Sequence, residues 1–237
     1  MQFLSSNQHT LIYNVLSFGT AVMLGAFVYF LTQIKSVKEQ YRSGIAVSAV
    51  VVGIAGYHYY RIWSGFADGE MNEGYRYADW LITVPLLIVE LLIVLGVASV
   101  LRKKLMWQLL PASILMIALG YPGEISNSTG TKWLFWFLAI IPFIYILYVL
   151  YGQLKEAENR ENGAVATSIK RATIVLLSTW CVYPVAYLFP IFDAESGALE
   201  TLRQVSYTFA DITAKGLYGL MILGIAKARS AENQNIS

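Results

Sequence analysis

The sequence predicts an all-α integral membrane bundle of seven transmembrane helices, N-terminus outside and C-terminus cytoplasmic. Three observations lead there. Of the 237 residues, 57% are hydrophobic and 14% charged, with a mean hydropathy of +0.54, whereas soluble domains carry about 25% charged residues. Apolar residues run on in seven stretches long enough for a hydrocarbon core about 30 Å thick, without the alternation a membrane strand barrel needs. Finally, the basic residues are unevenly placed: Lys35, Lys38, Arg42, Arg102, Lys103, Lys104, Lys155, Arg160, Lys170, Arg171, Lys227 and Arg229 all fall on one side. That side is cytoplasmic by the excess of Lys and Arg found in cytoplasmic loops.

The elements follow in order. The first span covers residues 11–34 and stops at the polar run Lys35 to Arg42. The second, 43–63, meets an acidic loop from Ser64 to Glu73. The third, 74–101, stops at Arg102-Lys103-Lys104, and the fourth, 105–121, closes at Pro122-Gly123. The fifth covers 132–154, and a polar linker from Lys155 to Gly163 leads to the sixth, 166–192. The seventh covers 201–228. Opposite the basic side the loops carry Asp68, Glu70, Glu73, Glu124, Asp193, Glu195 and Glu200. An odd number of spans reconciles the two termini, and one domain is expected over residues 1–237. A net charge of +2 implies no nucleic-acid partner, so the expected surroundings are the lipid bilayer. The short polar N-terminus has no basic stretch of the kind that begins a cleaved signal peptide. The single cysteine, Cys181, excludes an internal disulfide and, in an apolar run, is expected to be a buried, inert thiol. No metal site and no enzymatic activity are expected.

Lys215 is the most informative residue. It lies within the apolar seventh span, and an amine at membrane depth marks a functional site by default. Asp211 is four residues earlier, one helical turn away on the same face. A desolvated Lys can condense with an aldehyde, and a nearby carboxylate keeps the product protonated. The competing reading is a structural ion pair between helices.

The third span carries Arg76, Asp79, Thr83 and Glu90 at spacings of three, four and seven, which puts all four on one helix face. Asp79 and Glu90 stand about 16 Å apart along the axis. A line of ionisable groups through a bilayer is how a proton relay is built. Asp79, one turn from the Arg76 cation, is expected ionised on the outer side. Glu90, among Leu86, Leu87, Ile88, Val89, Leu91 and Leu92, is expected protonated on the cytoplasmic side. His58, in an aromatic run near the outer end of the second span, could exchange a proton with Asp79 if the two meet. Trp80, Trp180, Tyr183 and Tyr187 fall mid-span, where interfacial belts do not explain them. The last three share one face beside Pro184 and suit a box around a long conjugated ligand.

These residues resemble the microbial (type 1) rhodopsins over nearly the whole chain. The motifs that carry the resemblance are Arg76-Tyr77-Ala78-Asp79-Trp80 with Thr83 and Pro85, Trp180-Cys181-Val182-Tyr183-Pro184, and Asp211 through Lys215. Within that family the triplet Asp79, Thr83, Glu90, together with His58 and Gly120-Tyr121-Pro122-Gly123-Glu124 in the fourth-to-fifth connection, is similar to the proteorhodopsin and xanthorhodopsin group of outward proton pumps. Bacteriorhodopsin has Asp where Glu90 stands, chloride pumps lack the carboxylate matching Asp79, and sodium pumps carry an Asn-Asp-Gln pattern.

The resemblance implies all-trans retinal bound covalently to Lys215 as a protonated Schiff base, and light-driven outward transport of protons. Asp79 would be acceptor and, with Asp211, counter-ion. Glu90 would be donor, His58 would bond Asp79, Arg76 would lie below them, and Thr83 would sit beside Asp79. Tyr77, Trp80, Leu87, Met116, Trp180, Tyr183, Pro184 and Tyr187 match pocket positions. Members with a carotenoid antenna carry Gly where Trp136 aligns, so an antenna is not expected here. A homo-oligomer, pentamer or hexamer, is expected from the family's habit. The alternative function is a sensory photoreceptor signalling through a partner transducer; Glu90 argues against it, because sensors often lack the cytoplasmic donor.

Overall fold

The structure, a computed structural model, describes residues 4–232. Among these there is no strand. Seven rods are long and apolar enough to cross a membrane. They are α1 (Ser6–Gln33), α2 (Glu39–Ala67), α3 (Gly74–Val94), α4 (Ser99–Glu124), α5 (Thr129–Arg160), α6 (Gly163–Phe192), and a seventh rod made of α7 (Gly197–Asp211), a π-helical turn (Ile212–Leu217) and α8 (Tyr218–Glu232). Each rod packs against the next in sequence, and α7 returns to α1, which closes the ring. The protein is thus a multi-pass cell-membrane protein.

Local chemistry explains the ends. Ser5 caps α1 in a reciprocal box with Gln8, and Ser128 and Ser196 cap α5 and α7 with their hydroxyls, satisfying amides that have no partner within the helix. The third span is shorter than expected: α3 ends at Val94, not at 101. Gly96, at φ +63, turns the chain in the left-handed region and its amide donates to the Ile93 carbonyl at 3.1 Å, a stop that glycine adopts without steric penalty. Arg102-Lys103-Lys104 therefore lie within α4 and not in a loop. At its other end α4 runs through Pro122-Gly123 to Glu124, because the Glu124 carboxylate is drawn into the bundle by Arg203 and Tyr77. The polar linker after the fifth span is helical as far as Arg160, supported by the Lys155–Glu158 pair at 3.2 Å.

The burial pattern follows a two-solvent logic. α3 and the seventh rod are the most enclosed, and α5 is the most exposed to lipid. The largest apolar cluster joins α3, α6 and α8 toward the C-terminal ends of α3 and α8, with Leu91, Leu176 and Ile222 among its members. Cys181, expected to be buried, is exposed on the outside of α6. In a membrane an apolar neighbourhood describes the lipid face as well as the core, so hydropathy could not place this thiol.

Candidate functional site

Lys215 lies at the centre of the bundle with 2% of its surface exposed. The π-helical turn that carries it sits between α7 and α8; single wide turns of this kind recur at functional sites. Its Nζ is paired with Asp79 of α3 and lies 2.9 Å from Asp211 Oδ1, one turn back on its own rod. An ammonium at this depth is tolerable because two carboxylates face it.

The two carboxylates are held differently. Asp211 accepts from Tyr59 Oη at 2.7 Å, Tyr183 Oη at 2.8 Å and Trp80 Nε1 at 3.0 Å, and Arg76 Nη1 stands 3.7 Å away. Asp79 has only the lysine on Oδ2; its buried Oδ1 has no hydrogen-bond partner among the described residues. Thr83 donates to the main-chain carbonyl of Asp79 at 2.9 Å, not to its carboxylate. The four polar residues of α3 do share one buried face, with Arg76, Asp79, Thr83 and Glu90 each at 1% exposure or less.

Two expected contacts are absent. Arg76 does not stand beside Asp79: its guanidinium donates to Glu73 at 3.1 Å, Tyr59 at 3.0 Å and Gln204 at 2.8 Å and so turns toward α2 and α7. His58 is not hydrogen-bonded to Asp79. Its half-buried ring has Nδ1 3.0 Å from the Ile54 carbonyl and packs edge-on against Tyr57 at 5.2 Å. The carbonyl one turn back on its own helix satisfies the ring locally.

Beside Lys215 lies a cavity between α3, α4, α5 and α6. Tyr77, Trp80, Leu87, Met116, Trp180, Tyr183, Pro184 and Tyr187 all line it, and Trp136, Phe143 and Ile140 close the α5 side. Trp80 stands edge-on to Tyr183 and Tyr207 at 5.1 Å, a preferred aromatic geometry. Gly120 lets α4 approach closely: a Cβ there would meet the Tyr77 ring at 3.3 Å. Trp136 Nε1 donates to the Pro184 carbonyl at 2.9 Å, which joins α5 to α6 at the cavity wall.

Outside this centre lies a lattice of charge. Arg203 is paired with Glu124, with Glu200 at 2.9 Å and with Glu73 at 3.3 Å. Gln204 bridges Glu73 and Glu200, and Tyr77 and Tyr207 donate to Glu124. Burial works against the Glu73 charge, yet Arg203 and then Arg76 beside it prevail and hold its carboxyl below the usual carboxylate range. On the opposite side of Lys215 the arrangement is sparse. Glu90 Oε2 accepts from Ser48 Oγ at 2.8 Å, and Oε1 has no hydrogen-bond partner among the described residues.

Sequence reasoning missed Tyr59, Ser48, Glu73, Glu124, Glu200, Arg203 and Gln204. A signal existed for the last rod. Glu200, Arg203, Gln204, Thr208, Asp211 and Lys215 recur at helical spacing as one polar stripe. Ser48 carries no such signal, because a serine hydroxyl in an apolar helix usually bonds its own backbone, and Tyr59 carries none because it stands in an aromatic run that an interfacial belt would explain.

The description "bacteriorhodopsin-like protein" fits residues 10–228 of the chain. Green-light absorbing proteorhodopsin from gamma-proteobacterium EBAC31A08 is 31% identical over 214 residues, spanning 90% of this chain and 85% of that protein. Archaerhodopsin-3 of Halorubrum sodomense is 30% identical over 88% of this chain and 82% of its own length. Among solved structures, xanthorhodopsin, described as a light-driven ion pump with dual chromophore, superposes with a TM-score of 0.91 at 41% identity over 98% of both chains. Thermophilic rhodopsin superposes with a TM-score of 0.91 at 39% identity over 97% of this chain and 98% of its own. The matched length, the seven-rod ring and the central lysine lead to one conclusion: this chain belongs to the bacteriorhodopsin-like family, the microbial rhodopsins.

Proposed function

We propose that this protein is a light-driven outward proton pump whose retinal is carried on Lys215. The observation that carries the reading is the asymmetry around that amine: two carboxylates face it on one side and a solitary carboxyl lies beyond it on the other. Retinal suits this site because the cavity walls are apolar and aromatic, one amine opens onto them, and a carboxylate oxygen of Asp79 is unpaired. When bound as a protonated Schiff base on Lys215, retinal supplies light absorption and an isomerisation that changes the position and acidity of the nitrogen. Trp80, Trp180, Tyr183, Pro184 and Leu87 would hold it.

The chain's own groups set the direction. Asp211 is fixed by three hydrogen-bond donors and Arg76, so it stays ionised as the permanent counter-charge. Asp79, with Oδ1 free, takes the proton from the Lys215 nitrogen. That neutralisation is felt by Asp211 and Arg76 and through them by the outer lattice, which leads to the extracellular side. Glu90, walled by Leu91, Leu92 and Ile88, keeps its proton until the nitrogen needs one, then gives it from the cytoplasmic side. Thr83 braces the Asp79 backbone. Trp136 walls the cavity on the α5 side, so a single chromophore without a carotenoid antenna is proposed.

The test is direct. Cells expressing the protein with retinal are illuminated in unbuffered medium while external pH is followed. A fall in external pH that an uncoupler abolishes is expected. No change, or a rise, overturns the reading. A sensory role is not favoured, because Glu90 has no use in a slow signalling cycle.

A further inference from the structure

Trp80 is the ring on which the cavity and the carboxylates meet. Its indole lines the cavity, and its Nε1 donates to Asp211 Oδ1 at 3.0 Å. Three tyrosine rings surround it: Tyr183 and Tyr207 edge-on and Tyr77 tilted by 56°, each with its centroid 5.1 Å away. All three also line the cavity. The Tyr183 hydroxyl is fixed by Asp211 itself, at 2.8 Å. The other two are fixed elsewhere, and by a single atom. Glu124 Oε2, at the end of α4, accepts from Tyr77 Oη of α3 at 3.1 Å and from Tyr207 Oη of α7 at 3.4 Å. Glu124 Oε1 is taken by Arg203, and the glutamate side chain is 1% exposed. With both oxygens engaged, the carboxylate is locked in the orientation that meets the tyrosines. A buried tyrosine needs a partner for its hydroxyl; Tyr77 and Tyr207 are both buried, and Glu124 is the acceptor each has among the described residues.

We infer that Glu124 is a positioning residue for the cavity wall: through the hydroxyls of Tyr77 and Tyr207 it holds the two rings that hold the Trp80 indole on Asp211. This role is separate from its ion pair with Arg203, which uses the other oxygen. Without Oε2 the two rings lose their fixed polar ends and pack by apolar contact alone. The indole is then held less tightly, and its hydrogen bond to Asp211 weakens. Asp211 is left with a weaker donor, so its negative charge is more concentrated toward Lys215, 2.9 Å away. A more concentrated counter-charge favours a positive nitrogen on Lys215 in the dark state, so the pigment's band moves to the blue. Only this colour consequence rests on the retinal reading; the chain of contacts from Glu124 to Asp211 does not.

Two variants break the link at its two ends. Glu124→Leu removes the acceptor. Tyr77→Phe combined with Tyr207→Phe removes the donors but keeps both rings and the Glu124–Arg203 pair, so it decides the matter if the leucine variant does not fold. The first readout needs no retinal. Ultraviolet resonance Raman spectra of the retinal-free protein carry a marker of indole N–H hydrogen bonding, identified for Trp80 by its loss in Trp80→Phe. The marker should move toward a weaker hydrogen bond in both variants, and combining all three substitutions should add nothing further, as expected of residues acting through one chain of contacts. The second readout is the absorption band of the pigment, which should move to the blue by the same amount in both. An unmoved Trp80 marker in the paired phenylalanine variant overturns the inference. A band moved by Glu124→Leu alone would make Glu124 a charge acting on the pigment directly, and the tyrosine link would fall. A lowered denaturation midpoint with marker and band at their parent positions would reduce Glu124 to a structural ion-pair partner. If the parent protein bound no retinal, the retinal reading would fall, while the marker would still decide the link to Trp80.

Discussion

Outward of Lys215 the bundle is a lattice: three glutamates, two arginines, a glutamine and two tyrosines contribute overlapping hydrogen bonds across α3, α4 and α7. On the opposite side of Lys215 a single carboxyl, Glu90, sits among leucines and isoleucines and accepts one hydrogen bond, from Ser48. The two halves solve opposite problems with the same helices. Where ions must be held at membrane depth, each needs several partners, because an uncompensated charge there is prohibitive. Where a proton must be kept until it is needed, one carboxyl in apolar surroundings suffices, because burial disfavours its charged form without any partner. Loss of one member should therefore be felt as lost stability outside and as lost kinetics inside.

The boundary between the halves gives the largest expected effect. Asp79→Asn should abolish outward pumping while the protein still folds and binds retinal, since Asp211 remains to balance Lys215. The mutant's pigment should be red-shifted at neutral pH, read by absorption. Persistent pumping in illuminated cells would remove Asp79 as acceptor and erase the distinction drawn between the two carboxylates.

Glu90→Gln tests the sparse half. Deprotonation of the Lys215 nitrogen should be nearly unchanged, because that step uses Asp79, and reprotonation should slow by about 10²-fold or more. Flash photolysis with and without azide reads both. The Tm should move little, since Ser48 still has an acceptor. A large loss of stability with normal kinetics would reverse the comparison.

Arg203→Met tests the dense half. It leaves Glu73 with Arg76 and takes the paired arginine from Glu124 and Glu200. Breaking a buried charge network by removing one partner costs about 3–5 kcal/mol, to be measured as a lowered denaturation midpoint in detergent. Reprotonation from the cytoplasmic side should stay within twofold. A stable mutant with slowed reprotonation would show that the halves are not separable.

The smallest effect sharpens the same point through pH. The folded-state pKa of Glu73 is held below its unfolded value by Arg203 and Arg76, against burial. Its contribution is therefore fully present above the unfolded carboxylate range and is lost as pH falls through the depressed folded value. The Tm difference between the parent and Glu73→Gln should be largest near neutrality and shrink in acid below the ordinary carboxylate range. A difference independent of pH would mean that Glu73 acts by packing alone.

Much of this protein is legible in its amino-acid sequence. Seven spans, the pairing of Asp211 with Lys215 and the shared face of Arg76, Asp79, Thr83 and Glu90 all follow from hydropathy and helical spacing, which are local properties. The aromatic wall of Trp180, Tyr183 and Tyr187 follows from the same spacing, and all three line the cavity. Tertiary structure decided what each face meets. It turned Arg76 toward Glu73 and Gln204 instead of Asp79, gave Asp211 to Tyr59, Trp80 and Tyr183, and brought Ser48 to Glu90. It left His58 on the Ile54 carbonyl and Cys181 facing lipid. The π-helical turn under Lys215 has no mark in composition or periodicity. The physical reason is common to all of these. A helix's own sequence sets which residues share a face. In a bilayer, however, lipid and core are equally apolar, so only the packing of one rod against another decides which polar groups meet.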